Sequence, residues 1–136
     1  MTAAALTAAL EGLVDWPTVY SGNLSSENPE YPYVLVTAGF PQASERSHAR
    51  TVQAREARIR TTIAGFTQDS ILQVAGAVVD SLEGARPVVP GWSVGRIEGV
   101  PNGQPIQTDD DVVVPNFGHP MYLVLDWVAT ASQLPG

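Results

Sequence analysis

Between Arg55 and Gly84 the alternation of hydrophobic and polar positions predicts one strand, a tight turn and one amphipathic helix. In Ala57-Arg58-Ile59-Arg60-Thr61-Thr62-Ile63-Ala64, one face carries Ala57, Ile59, Thr61 and Ile63, and the other carries Arg58, Arg60 and Thr62. A period of two marks a half-buried strand. Gly65-Phe66 ends it, and Thr67 stands where an N-cap belongs, with Asp69 near the positive end of the helix dipole. Ile71, Leu72, Val74, Ala75, Val78, Val79 and Leu82 then follow at helical spacing, a stripe wide enough to cover a sheet. Full burial of the large aliphatics Ile71, Leu72, Val78, Val79 and Leu82 would contribute roughly 8–15 kcal/mol gross, at about 1.5–3 kcal/mol each. Gly84 is a suitable C′ residue, and Pro87 prevents the helix from resuming.

The rest of the chain is read around this unit. Thr2 to about Leu13 predicts a short helix with Leu6, Leu10, Leu13 and Val14 on one side, and Trp16 to Tyr20 a short edge strand, because Pro17 has no donor for a central ladder. Ser21 to Pro32 has the composition of a loop, and Tyr33 to Ala38 is apolar enough on both faces for an interior strand. Residues from about 39 to 50 are expected to form an exposed, flexible tip joining that strand to the central one as a hairpin. Val94 to Val100 reads as a strand weakened by glycine, Pro101 to Pro105 as a turn, and Asp109-Asp110-Asp111 as an acidic cluster at the mouth of a short apolar run, Val112 to Val114. A last strand runs from Met121 to Thr130, with Met121, Leu123, Leu125, Trp127 and Ala129 on one face. Strands with hairpin-like connections outnumber helical crossovers. The expected fold is therefore α+β, a single domain with two helices on one face of a mainly antiparallel sheet.

Composition narrows the function classes. The 136 residues are 44% hydrophobic, enough for one core, and the formal net charge is −7 with all seven basic residues arginine. That balance argues against sequence-independent nucleic-acid binding and against anionic membrane surfaces. The absence of cysteine excludes disulfides and a thiol nucleophile, and the absence of lysine excludes Schiff-base chemistry. The start, Met1 to Leu6, lacks the basic region of a signal peptide, and no stretch approaches the length of a membrane span.

Candidate chemistry is sparse. Asp109, Asp110 and Asp111 lack the spaced acids and turn glycine of a calcium loop, and His48 and His119 have no zinc-ligand spacing. Neither a Gly-x-Ser-x-Gly elbow nor a phosphate-cradling loop occurs. Arg58 and Arg60, on the strand face away from the core, admit two readings: a solvated face with partial pairing to Glu56, or a surface that meets acidic residues of a neighbouring copy.

The chain resembles the tail terminator, or tail completion, proteins of long-tailed non-contractile bacteriophages. The likeness is carried by Tyr31-Pro32-Tyr33-Val34-Leu35-Val36 after a Pro-rich loop, by Arg58 to Gly65 leading into Thr67-Gln68-Asp69 and a helix ending Leu82-Glu83-Gly84, and by the final strand Tyr122 to Trp127. It spans roughly residues 6 to 131. The resemblance implies a ring-forming, hexameric virion subunit that caps the head-proximal end of the tail tube, stops tube growth and offers the surface to which the filled head is joined. It implies as partners the chain's own copies, the tail tube protein and a head-completion or connector protein, with DNA passing through the lumen without specific binding. It implies no catalytic residue, cofactor, metal or membrane. Exposure and charge nominate Arg46, His48, Arg50, Arg58, Arg60, Asp109, Asp110 and Asp111 as subunit or partner interface. Another neck or tail-assembly factor and a small-ligand-binding α+β domain are the alternatives.

Overall fold

The computed structural model describes residues 3–21, 29–39, 43–46 and 52–134. In chain order these form α1 (Ala3–Leu13), β1 (Val19–Ser21), β2 (Tyr33–Gly39), β3 (Ala43–Arg46), β4 (Val52–Gly65), α2 (Gln68–Leu82), β5 (Trp92–Val94), β6 (Glu98–Val100), β7 (Gln107–Thr108) and β8 (Met121–Gln133). No helix among the described residues is long and apolar enough to cross a membrane.

The fold is the expected α+β arrangement, with every described strand in one sheet. β4 and β8 form its spine, paired antiparallel from Ala54↔Ser132 to Gly65↔Met121. Beyond β4, β2 pairs with residues 58–64 and β3 with residues 52–55, both antiparallel, and β1 adds a parallel edge to β2. Beyond β8, the segments β5, β6 and β7 follow one another along its length as one discontinuous antiparallel strand. The expected tip at 39–50 is thus partly strand: Gly39 closes β2 and Ala43–Arg46 is β3.

Both helices cover the same face. Leu6, Leu10 and Val14 from α1 and Ile71, Val74, Ala75, Val78 and Leu82 from α2 pack with Val34, Val36, Ala57, Ile59, Ile63, Trp127, Ala129 and Ala131. The alternation anticipated in β4 holds, with Ala57, Ile59, Thr61 and Ile63 buried and Arg58 and Arg60 exposed. Thr61 is the polar member of that face. Its hydroxyl donates to the Leu125 carbonyl at 3.2 Å and accepts from the Trp127 indole N–H at 3.0 Å, so a buried donor finds its partner inside the core.

Thr67 caps α2, accepting from the Ser70 amide at 3.1 Å, and Gly84 adopts the left-handed conformation that ends it, φ 76°. Gly65 permits the close approach of strand and helix, since a Cβ there would lie 2.9 Å from Ser70 Oγ and 3.2 Å from Ile71 Cγ1. The apolar stripe of α2 is narrower than its spacing suggested. Leu72 and Val79 are 50% and 40% exposed, because they lie on the shoulder of the helix away from the sheet. Only Ile71, Val78 and Leu82 of the five large aliphatics are buried, which brings the gross figure for them to about 5–9 kcal/mol.

The strand expected over Val94–Val100 is instead two. Gly95 still donates to the Thr130 carbonyl at 2.7 Å, but the chain then leaves β8. Ile97 exchanges hydrogen bonds with the segment that follows α2, donating to Ala85 O and accepting from Gly84 N, both 2.8 Å, and its side chain is fully buried. The interruption thus inserts a core residue beneath the end of the helix. The short apolar run Val112–Val114 forms no strand. A bridge between Val114 and Gly118 folds it into a tight loop, with Asn116 and Gly118 at positive φ, and leaves Val112 and Val113 exposed.

Candidate functional site

The opposite face of the sheet carries no helix among the described residues. Strand register brings Tyr33, Leu35 and Thr37 of β2, Arg58, Arg60, Thr62 and Ala64 of β4, and Tyr122, Val124, Asp126 and Val128 of β8 onto it. Its two ends differ in character.

At the end where β4 gives way to α2, the surface is an aromatic cleft of about 780 Å³. Tyr33, Thr62, Ala64 and Tyr122 make its floor, Tyr31 and Phe66 one wall, and the Val112–Phe117 loop the other. Tyr31 packs against Tyr33 and Phe66 at centroid distances of 5.2 and 4.6 Å, and Phe66 stacks on Phe117 at 5.1 Å. The Tyr122 hydroxyl donates to Gln107 Oε1 at 2.7 Å, while Phe117 is 68% exposed at the lip. Burial, then the neighbouring Tyr31, Asp109 and Tyr20, push the Tyr33 phenol up to about 12, and burial with Asp109 raises Tyr31 as well. Both phenols are therefore neutral at physiological pH. The cleft offers apolar area and hydrogen-bonding hydroxyls rather than a proton-transfer pair.

Asp109 stands at the cleft, its backbone N–H bonded to Pro120 O at 2.8 Å and its Oδ1 accepting from the Asp111 amide at 3.2 Å. Asp110 and Asp111 follow it into solvent. His119, read as a loop histidine, is exposed with Nδ1 2.7 Å from Val112 O. No group of acids and histidines that could hold a metal ion is found among the described residues.

The middle of the face is charged. Arg60 donates to both carboxylate oxygens of Asp126, at 2.8 and 3.4 Å, and Asn102 donates to Asp126 Oδ2 at 3.0 Å and to the Val124 carbonyl at 3.0 Å. The Arg60 hydrogen bond holds the Asp126 carboxyl below its ordinary range despite partial burial, with Asn102 adding to the effect, and the same bond raises Arg60. Arg58 pairs with Glu56, two residues away on its own strand, at 3.1 Å. The Arg58–Glu56 pair is exposed at both ends and the Arg60–Asp126 pair at its arginine, so each is worth about 0–1 kcal/mol.

The nominated interface residues thus fall into separate groups. Arg58 and Arg60 share the helix-free face, each with a carboxylate partner in its own chain. Asp109 lines the cleft, and Asp110 and Asp111 follow it in the chain, exposed. Arg46 pairs through its backbone with Val52, and His48 and Arg50 lie outside the described residues. Sequence reasoning missed the cleft, whose walls come from segments far apart in the chain. The available signal was the clustering of Tyr31, Phe66 and Phe117 at element ends beside proline and glycine.

No protein-family model matches the chain, and no curated protein does. Among solved structures, it is similar to a chain in the virion of a native gene transfer agent particle, with 16% sequence identity and a TM-score of 0.58. The match covers 90% of this chain and 84% of that one.

Proposed function

We propose that this chain is a structural subunit of a tailed, phage-like particle, and within it the tail terminator: a hexameric ring on the head-proximal end of the tail tube. The observation that carries the reading is the fold, shared over nine-tenths of the chain with a component of a gene transfer agent virion. The sequence resemblance to tail terminators narrows it. The role asks for surfaces rather than a reaction, and no residue is assigned to catalysis or to a cofactor. Its partners are its own copies, the tube protein below and a head-completion or connector protein above. Its place is the head–tail junction, after assembly in the host cytoplasm.

A net charge of −7 suits a subunit whose lumen DNA must cross without adhering, because it repels phosphate. Omission of the protein from tail assembly, followed by electron microscopy, tests the role. Tubes of uncontrolled length without attached heads are expected, and tails of normal length that join heads would refute it. A second reading, binding of a small apolar ligand, draws on the aromatic cleft and predicts a monomer that takes up one ligand per chain.

A further inference from the structure

The cleft has a complement at the other end of the same subunit. There the Gly84–Ile97 hydrogen bonds hold the segments after α2 and before β6 side by side, so Arg86 and Arg96 belong to one corner. Both are exposed, and neither forms an ion pair among the described residues. Val88, two residues beyond Arg86, is 86% exposed, and Leu134, bonded through its N–H to Gly91 O at 2.9 Å, adds a second exposed aliphatic. The corner is apolar and basic. The cleft is apolar with Asp109 in its lining, and the acids next to its lining residues in the chain, Asp110 and Asp111 after Asp109 and Glu30 after Pro29, are exposed.

We infer that the Arg86–Val88 corner of one copy seats in the aromatic cleft of the next, with Arg86 and Arg96 facing the aspartates. The inference rests on the ring reading above and names the surfaces that would close it. Geometry makes the contact head-to-tail. The corner lies by Ala131 and the cleft by Tyr122, which are about 30 Å apart along β8 at about 3.3 Å per residue, so neither surface can reach the other within one chain. A contact between unlike surfaces propagates in one direction, and it closes into a ring when the rotation per subunit divides a full turn. Burying Val88 and Leu134 against Phe117 and Val113 also covers aliphatic and aromatic area that a lone subunit leaves wet.

Charge reversal tests it in the full chain. R86E/R96E alone and D110R/D111R alone should each lose assembly, read as mass by light scattering coupled to size exclusion, with circular dichroism unchanged. An equimolar mixture should regain it, since each variant then offers the surface that the other needs and the two alternate around an even-numbered ring. Assembly of either variant at the wild-type level overturns the contact while leaving the ring reading intact. The cysteine-free chain permits a second measurement that does not depend on charge. Oxidised V88C/V113C should give a ladder of disulfide-linked multimers where each single variant stops at dimer, and a double variant that also stops at dimer overturns the contact. A wild-type chain that stays monomeric at the highest concentration reached, with the neutral dye Nile red bound one per chain, overturns it in favour of the small-ligand reading.

Discussion

Thr61→Val probes the hydrogen bond between Trp127 and Thr61 in the core. Valine keeps the β-branched shape, so no cavity opens, but the Trp127 indole N–H loses its acceptor in a site where Thr61 is fully buried and Trp127 is 3% exposed. An unsatisfied buried donor costs about 1–3 kcal/mol, against which the added methyl offsets less than about 1 kcal/mol. The Leu125 carbonyl, which also loses a donor, lies on β8 opposite Thr61 within the β4–β8 ladder, so its loss adds little. The net cost should be about 1–2 kcal/mol, or about 3–6 °C in Tm for a domain of this size. Urea denaturation followed by far-ultraviolet circular dichroism at one fixed protein concentration measures it. The decisive comparison is the cycle with Trp127→Phe. In that background no indole N–H awaits an acceptor, and Thr61→Val should become neutral, a coupling of about 1–2 kcal/mol. If Thr61→Val costs the same in both backgrounds, the Thr61–Trp127 bond is not what holds this part of the core, and the reasoning fails.

Two further predictions concern pH. Tyr33 binds its proton more tightly folded than unfolded, so its contribution is complete below about pH 10 and is lost as pH rises toward about 12; with no lysine in the chain, tyrosines dominate titration there. Tyr33→Phe should flatten that alkaline decline and remove the latest-titrating component of the tyrosinate absorbance, and an unchanged curve would count against a buried phenol. Asp126 is depressed, so its contribution is present above about pH 4 and disappears as pH falls through its folded value. Asp126→Asn should therefore cost at most about 1 kcal/mol at neutral pH and progressively less as acid protonates the carboxyl, by denaturation across the acid range; a cost that does not shrink in acid would contradict the Arg60 pairing.

The elements with an undisturbed period were legible from residues alone. β4 showed its faces through Ile59 and Ile63 against Arg58 and Arg60, and α2 showed both ends through Thr67 and Gly84, because caps and alternation are local effects. What depends on distant parts of the chain was not. Ile97 leaves its ladder to pair with Ala85, a choice made by the end of α2 rather than by any neighbour in sequence. Val112–Val114 has the composition of a strand, but Asn116 and Gly118 turn it back on itself and it becomes a cleft wall. Leu72 and Val79 fit the helical period yet miss the sheet, since periodicity gives a direction but not the width of what lies there. Arg60 and Asp126 stand 66 residues apart and meet only through the register of β4 with β8.

The interrupted outer strand has a bearing on how such subunits avoid the wrong polymer. β5, β6 and β7 contribute only three, three and two residues along β8, separated where Ile97 dives inward and where Pro101 and Pro105 supply no amide hydrogens, and β1 on the far side is three residues long. Among the described residues the edge segments β1 and β3 are three and four residues long, too short to present a straight row of free donors and acceptors on which another chain could add its own strand. Fibril-like stacking, the hazard of any protein made and held at high local concentration, is thereby starved of a template. In the ring proposed above, copies of this chain would recognise each other through shape and charge at their ends, where a contact can be reversed and corrected before it is locked in place.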